Sequence, residues 1–311
     1  MTHDELLQAL IAFLPAEYIA ENEPMAKHTT FEVGGPADFF VSPTTVQQVA
    51  DVAALARKND ITLWVVGCGS NLLVSDNGLS GIVLHLGENF SAIEIDATTG
   101  RVHVQAGATN EDVAAKTCAA GLAGYEFASG IPGTIGGAAI MNAGAYDGEF
   151  KDVGVAVECL TPEGEIVRVE EAQADWSYRH SMMMDKGWIV LSAELHLHSD
   201  DSAAIQARID DLTERRSSKQ PLDMPSAGST FKRPEGYFAG PLIQEAGMQG
   251  HQVGGAMVSN KHAGFVVNAG GATAADVLQV IHDVQAAVLE HSGVQLEPEV
   301  RLWGSCVATQ I

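Results

Sequence analysis

Basic residues are scarce in this sequence. Seventeen Lys and Arg stand against 40 Asp and Glu in 311 residues, a formal net charge of −23. A nucleic-acid binder replaces phosphate counterions with cations, so this balance argues against one. It leaves an anionic small substrate open, because surface fields are screened beyond about 8 Å at physiological salt. Cysteine is also scarce. The four cysteines, at 68, 118, 159 and 306, form no Cys-x-x-Cys pair, which favours free buried thiols over a zinc site. No apolar run approaches about 20 residues, so no membrane-spanning helix is predicted. The first residues lack the Lys or Arg that opens a signal peptide, and a cytoplasmic location is expected. Leu6, Leu7, Leu10, Ile11 and Leu14 have helical spacing and predict a short amphipathic helix instead.

Apolar residues make up 46% of the chain, enough for a large core, and the length suggests about two domains. FFVSP (39–43), a helix capped by Thr44 with Gln47 closing a capping box, and ITLWVVG (61–67) predict a strand–helix–strand unit that favours a parallel pair. Hairpins are predicted within 93–107 and 155–170, the second turning at Pro162–Gly164. A helix over about Asn110–Ala120 stops at Gly121, as a glycine just past a helix end would make it. The character changes near residue 200, where Ser202 caps a helix carrying Ile205, Ile209 and Leu212. Another helix starts at Thr273 and Asp276 and runs to Gly293. The last strand is predicted over 294–304. Of the 17 cations, six fall together: Arg208, Arg215, Arg216, Lys219, Lys232 and Arg233.

Glycine is plentiful, and two stretches concentrate it. Gly67-Cys68-Gly69-Ser70-Asn71 follows an apolar strand, but Leu72 stands where a dinucleotide fingerprint needs a third glycine. The second, SGIPGTIGGAAIMNAGAYDGE (129–149), holds glycines at 130, 133, 136, 137, 144 and 148. Bare backbone lets amide N–H groups approach an anion, and neither stretch carries the lysine of a P-loop. Together they suit a pyrophosphate held by backbone, as in FAD or NAD, with Thr134, Asn142 and Tyr146 adding donors. The plain alternative for either stretch alone is a set of tight turns between strands.

Seven segments then occur in order: TTFEVGGPADFFV, VVGCGSNLLVSD, EFASGIPGTIGGAAIMNAGAYDGE, SYRHS, PSAGSTFKRP, VGGAMVSNKHAGFVVN and LEPEVRLWG. Over roughly residues 28–304 the chain resembles the UDP-N-acetylenolpyruvoylglucosamine reductases, flavoenzymes that complete UDP-N-acetylmuramate for bacterial peptidoglycan. The resemblance implies an α+β fold: a two-part FAD-binding domain of the vanillyl-alcohol-oxidase type, then a smaller α/β substrate-binding domain. With the helix read at the start and the change of character near residue 200, the chain is expected to divide into a helical segment 1–26, an FAD-binding domain 27–199 (subdomains about 27–88 and 89–199) and a substrate domain 200–311. The resemblance also implies FAD, NADPH as reductant and a nucleotide-sugar substrate. No His or Cys stands out as a flavin link, so FAD is expected without a covalent bond; no metal and a monomer are expected.

Residue by residue, the resemblance places Gly67, Gly69, Ser70 and Asn71 on one side of the cofactor. Ser129, Gly130, Pro132, Gly133, Thr134, Gly136 and Gly137 fall on the other, with Asn142 and Ala143 close by. It gives Arg179 and Glu299 the task of stabilising an enolate and Ser229 that of donating a proton. Tyr178, Lys219, Arg233 and His262 would bind substrate, with Lys232 and Lys261 as further candidates. Taken alone, Arg179 reads as a surface or ion-paired arginine, Ser229 as a turn serine and Glu299 as one member of an exposed strand face. Arg233 stands where some relatives carry Asn, and Pro241 where a lysine is expected. The short spacing after SYRHS suggests the subclass without an extra tyrosine-bearing loop. Two other functions compete: an FAD-dependent oxidase of the same fold acting on an alcohol or sugar, and a non-catalytic nucleotide-binding module.

Overall fold

The computed structural model describes residues 1–305, so Cys306 lies outside the described residues. Contacts divide the chain discontinuously. Residues 1–20, 39–68 and 81–216 form one compact unit; residues 21–38, 69–80 and those from 217 on form a second.

The first unit contains a five-stranded antiparallel sheet in the order Ile166–Glu170, Gly154–Leu160, Ile189–His196, Arg101–Gln105, Ile93–Asp96. Both predicted hairpins form, with Ile93 opposite Val104 and Leu160 opposite Ile166. The period of two sets the faces: Val102 and Val104 are buried, Arg101 and His103 exposed. Helix Asn110–Ala119 begins where Thr109 accepts the Asp112 N–H and ends before Gly121, whose φ is 68°. The N-terminal helix is His3–Ile11, and Leu6 and Leu10 anchor it in the core.

A four-stranded sheet has the order Ile19–Pro24, Pro36–Val41, Leu79–His85, Leu63–Val66. The predicted strand–helix–strand order holds, but Pro36–Val41 and Leu63–Val66 are not neighbours. Leu79–His85 lies between them and makes the parallel pair, with Leu63 opposite Ile82. The intervening helix, Val46–Lys58, is capped by Thr45 rather than Thr44. Thr45 Oγ1 accepts the Gln48 N–H, while Thr44 bonds the Gln48 side chain. Neighbouring threonines offer the same capping chemistry, so sequence alone does not separate them. The same holds at helix Ser202–Lys219, where the Asp201 carboxylate, not Ser202, accepts the Ala204 N–H at 3.0 Å. That helix buries Ile205 against Cys118 and Ala123. This packing carries it into the first unit through Arg216, beyond the change of character near residue 200.

The second unit is built on helix Ala274–Ser292. Thr273 and Asp276 form the capping box, and Gly293 ends the helix with φ 73°. Val277, Ile281, Val284 and Val288 are fully buried, and Ile281→Ala would cost about 2–5 kcal/mol. A three-stranded antiparallel sheet (Gln252–Val253, Ala256–Val258, Val266–Asn268) belongs to the same unit. The terminal strand is short, Arg301–Trp303, and pairs in parallel with Leu72–Val74. Pro298 lacks the N–H that a continuous ladder from residue 294 would use. The alternation survives, with Leu296 and Val300 buried and Glu297 exposed.

Candidate active site

Within the first unit, the stretch 129–149 is a fixed frame. Asn110 N–H donates to Gly133 O at 3.0 Å, Ile135 N–H to Ala108 O at 2.8 Å, and Gly136 N–H to Ala106 O at 2.8 Å. Asn110 Nδ2 donates to Ile131 O, and the buried Tyr125 hydroxyl donates to Asn110 Oδ1. The frame touches the first glycine loop: a Cβ added to Gly67 would overlap Thr134 Oγ1 and come within 2.9 Å of its Cγ2. Gly136 therefore supplies closeness rather than a donor. Its amide is engaged, and a Cβ there would lie 2.9 Å from Ala106 Cβ. The amides of Ser129 and Ala143 are likewise engaged, by Glu126 O and Ala138 O.

Two donors in this frame are unmatched. Ser129 Oγ and Arg216 Nε are buried without a hydrogen-bond partner among the described residues. Arg216 lies on Gly130, its Nη1 donating to the Gly130 carbonyl. Burial lowers the pKa of this guanidinium from its ordinary value, and the nearby Tyr146 acts the other way. An unmatched buried donor costs about 1–3 kcal/mol, which an anionic ligand would relieve. Donors without acceptors, beside bare glycines, fit the pyrophosphate of FAD. Cys68 fits no nucleophilic role, because burial, and after it Asp112, raises its thiol. Cys68, Cys118 and Cys159 form no disulfides.

The same frame holds Arg179. Helix Ile135–Met141 ends at Asn142, which adopts φ 41°. Asn142 Nδ2 donates to Glu149 Oε2 at 2.5 Å and to Ser177 O at 3.1 Å, and its Oδ1 accepts the Lys151 N–H at 3.0 Å. Asn142 is thus a tie within the protein rather than a side chain offered to a ligand. Trp176 Nε1 donates to Ala139 O and Ser181 Oγ to Ile140 O, both at 2.8 Å. Between these anchors, Ser177 and His180 exchange backbone hydrogen bonds around Tyr178 and Arg179. Arg179 has φ 55°, a position where a turn of this kind favours glycine. Its guanidinium lies over the Tyr178 ring, 5.2 Å from the centroid. The hydrogen bond that His180 Nε2 donates to the Asp185 carboxylate, at 3.0 Å, raises the pKa of His180.

In the second unit, Gly69 has φ 61° and no room for a side chain: a Cβ would overlap His28 O and lie 2.9 Å from Thr29 Cα. Thr30 Oγ1, beside it, is buried and unmatched among the described residues. Ser229 and Glu299 meet at one backbone junction. Glu299 N–H donates to Thr230 O at 2.8 Å, Asn71 Nδ2 donates to Glu299 O at 3.1 Å, and Arg301 N–H donates to Asn71 O at 2.9 Å. Thr230 is fully buried and bonds the Val266 N–H, while Ser229 next to it is exposed. His262 Nδ1 accepts the Gly264 N–H at 3.1 Å, so Nε2 carries the ring proton. Burial lowers its pKa and keeps it neutral. Lys261 Nζ donates to Ser217 O, near the exposed Lys219 that ends its helix. Arg233 lies over Phe238, 3.9 Å from the ring centroid. Pro241 is exposed in the first turn of helix Ala239–Glu245, where its missing N–H is tolerated.

The residues expected at one site thus form two groups, one in each unit. Arg179 and Gly67 stand with the 129–149 frame, Gly67 against its Thr134, and Ser229 and Glu299 stand with Asn71. Sequence reading missed Arg216 and Thr30 as members. Arg216 sat within the noted cluster of cations, but its bond to Gly130 is a contact 86 residues away in sequence.

The mixed helix-and-strand fold, its glycine stretches and the comparisons with known proteins together place the chain among the FAD-binding oxidoreductases. A family model described as FAD binding domain matches residues 37–170. A second, described as UDP-N-acetylenolpyruvoylglucosamine reductase, C-terminal domain, matches residues 220–303. Proteins named UDP-N-acetylenolpyruvoylglucosamine reductase from Agathobacter rectalis and Levilactobacillus brevis are 48% and 50% identical to this chain. The alignments cover 94% and 95% of it and 96% of each relative. The crystal structure of the reductase from Thermus caldophilus superposes with a TM-score of 0.79 at 34% identity, covering 90% of this chain and 97% of that one. An alkyldihydroxyacetonephosphate synthase, 18% identical with a TM-score of 0.51 over 64% of this chain, shares the fold. The chain belongs to the UDP-N-acetylenolpyruvoylglucosamine reductase family.

Proposed function

We propose that the chain reduces UDP-N-acetylglucosamine enolpyruvate to UDP-N-acetylmuramate, with NADPH as reductant and FAD bound without a covalent link. The observation that carries this reading is the likeness to named reductases along nearly the whole length of both partners. FAD held by this chain would supply the hydride chemistry, carrying a hydride from NADPH to the β carbon of the enolpyruvyl ether.

The chain's own residues have four tasks. Gly67, Gly69 and the 129–137 stretch hold the dinucleotide, with Ser129 and Arg216 donating to its phosphates. Arg179 and Glu299 have the task of stabilising the negative charge that develops on the substrate carboxylate as hydride adds, one as a cation and the other as an acid. Ser229 donates a proton to the α carbon, and a solvent proton restores its hydroxyl. One hydride and one proton therefore saturate the double bond. Tyr178, Lys219, Arg233 and His262 bind the nucleotide sugar. His262 suits this as a neutral ring with Nε2–H as its donor, and Lys219 as a cation.

Strain supports the role of Arg179. A non-glycine residue held in the left-handed region costs energy that only its surroundings maintain, and such residues cluster at functional sites. The test is NADPH oxidation in the presence and absence of the enolpyruvyl nucleotide, with the product weighed. Nucleotide-dependent oxidation and a product heavier by two hydrogens are expected. Equal oxidation without the nucleotide, or peroxide in place of the reduced product, rejects the reading.

A further inference from the structure

Among the described aromatic residues, those classed as exposed are Tyr146, Tyr178, Tyr237 and Phe238. Tyr146 and Tyr178 belong to the frame described above. Tyr237 and Phe238 are unexplained: adjacent residues of the second unit, 50% and 59% exposed.

They are not on a slack loop. Tyr237 N–H donates to Pro234 O at 3.1 Å, closing a turn whose third residue, Gly236, has φ 76°. Phe238 is the N-cap of helix Ala239–Glu245, which Leu242 and Ile243 bury in the core. The ring is therefore mounted on a fixed support and still faces solvent. Arg233 adds to the mount. Its guanidinium lies on the Phe238 ring at 3.9 Å, and its Nε donates to Tyr237 O at 3.3 Å. Phe238 keeps 59% exposure with Arg233 in place, so ring surface remains for a second planar group. Core packing does not require such a ring in solvent, since burying a phenylalanine side chain stabilises by about 1.5–3 kcal/mol.

We propose that Phe238, with Arg233 and Tyr237, forms the platform that takes the uracil ring of the nucleotide substrate. The inference rests on the proposed function, which supplies the nucleotide. A pyrimidine offers a flat face for the phenyl ring and carbonyl oxygens that accept from a guanidinium or a tyrosine hydroxyl. Arg233 thus serves by stacking as well as by charge. A lysine in its place would keep the charge and lose the planar fit.

The test compares UDP with inorganic pyrophosphate as titrants of the FAD-loaded protein, by calorimetry, beside steady-state kinetics with the full substrate. Phe238→Ala is expected to weaken UDP binding on the order of five- to a hundred-fold. Pyrophosphate binding should stay within twofold. The kinetic loss should fall on KM more than on kcat. Phe238→Tyr, which keeps a flat ring, should recover most of the UDP affinity. Leu289→Ala, a change at an exposed residue on helix Ala274–Ser292, controls for surface substitution. Normal turnover with equal UDP binding in wild type and Phe238→Ala overturns the platform and leaves the reductase reading standing. A wild-type protein that neither binds UDP nor turns over the nucleotide overturns both. A parallel loss of UDP and pyrophosphate binding would mean a collapsed site, and rejects a base-specific role for the ring.

Discussion

Gly67 and Thr134 lie so close that a methyl group on Gly67 would overlap the threonine hydroxyl. Thr134 is buried and β-branched, so it has little freedom to move aside. Gly67 and the 129–149 stretch, both in the first unit, therefore meet in van der Waals contact, and their spacing has no slack.

Gly67→Ala is expected to destabilise the protein by about 1–3 kcal/mol, as overpacking does, and to lower FAD content. Flavin absorbance per protein and urea unfolding measure both. Gly67→Ala with Thr134→Ala, which removes the overlapping oxygen, should recover part of the stability. Full flavin content and unchanged stability in Gly67→Ala would show that the contact is not tight.

Arg179 offers a test in which stability and activity part. Glycine adopts φ near 55° without the penalty arginine meets. Arg179→Gly should leave the melting temperature unchanged or raised while turnover falls by roughly 10²–10³. Arg179→Ala should lose similar activity without the relief. A protein that melts well below wild type on Arg179→Gly contradicts a strained backbone there.

Much of the fold was legible in the sequence because it rests on local signals. The Thr273–Asp276 capping box, the glycines at 121 and 293, and the two hairpins all formed at the positions read from sequence. Cap identity slipped by one residue at Thr44/Thr45 and at Ser202/Asp201, where both candidates are competent caps. Less legible was anything set by distant pairing. Leu79–His85 entering between two strands, and Leu72–Val74 pairing with Arg301–Trp303, leave no periodicity in either segment. At the site, residue types and spacing exposed the glycine stretches. The assignments to Arg179, Ser229 and Glu299 came only from family likeness, and the role of Asn142 as a tie depends on three hydrogen bonds that no local pattern announces.

Asn142 has two properties that substitution separates. Asn142→Gly keeps the left-handed conformation and loses the three side-chain hydrogen bonds; Asn142→Ala loses both. Both should be destabilised, with Asn142→Ala lower than Asn142→Gly by about 1 kcal/mol. Both should lose activity in proportion to the freedom gained by the Arg179 turn. Chemical denaturation ranks the two, and equal stabilities would count against the backbone part of the explanation.

His262 gives a pH dependence of defined sign. Its folded pKa lies below the unfolded value of 6.5 because burial disfavours the charged ring. The stability it contributes is complete above pH 6.5 and declines as pH falls from there through the folded value. His262→Gln should remove this decline, so the difference between variant and wild type should move in the variant's favour on acidification. Proton NMR should find the His262 titration midpoint below 6.5. A midpoint above 6.5 reverses the sign.

The most direct measurement is anaerobic spectroscopy of the purified protein. A yellow, FAD-bearing protein should bleach on addition of NADPH and recover its colour on addition of the enolpyruvyl nucleotide, while Ser229→Ala should bleach normally and recover slowly. A protein that takes up no flavin, or one whose bleached flavin ignores the nucleotide, would contradict the proposed reductase.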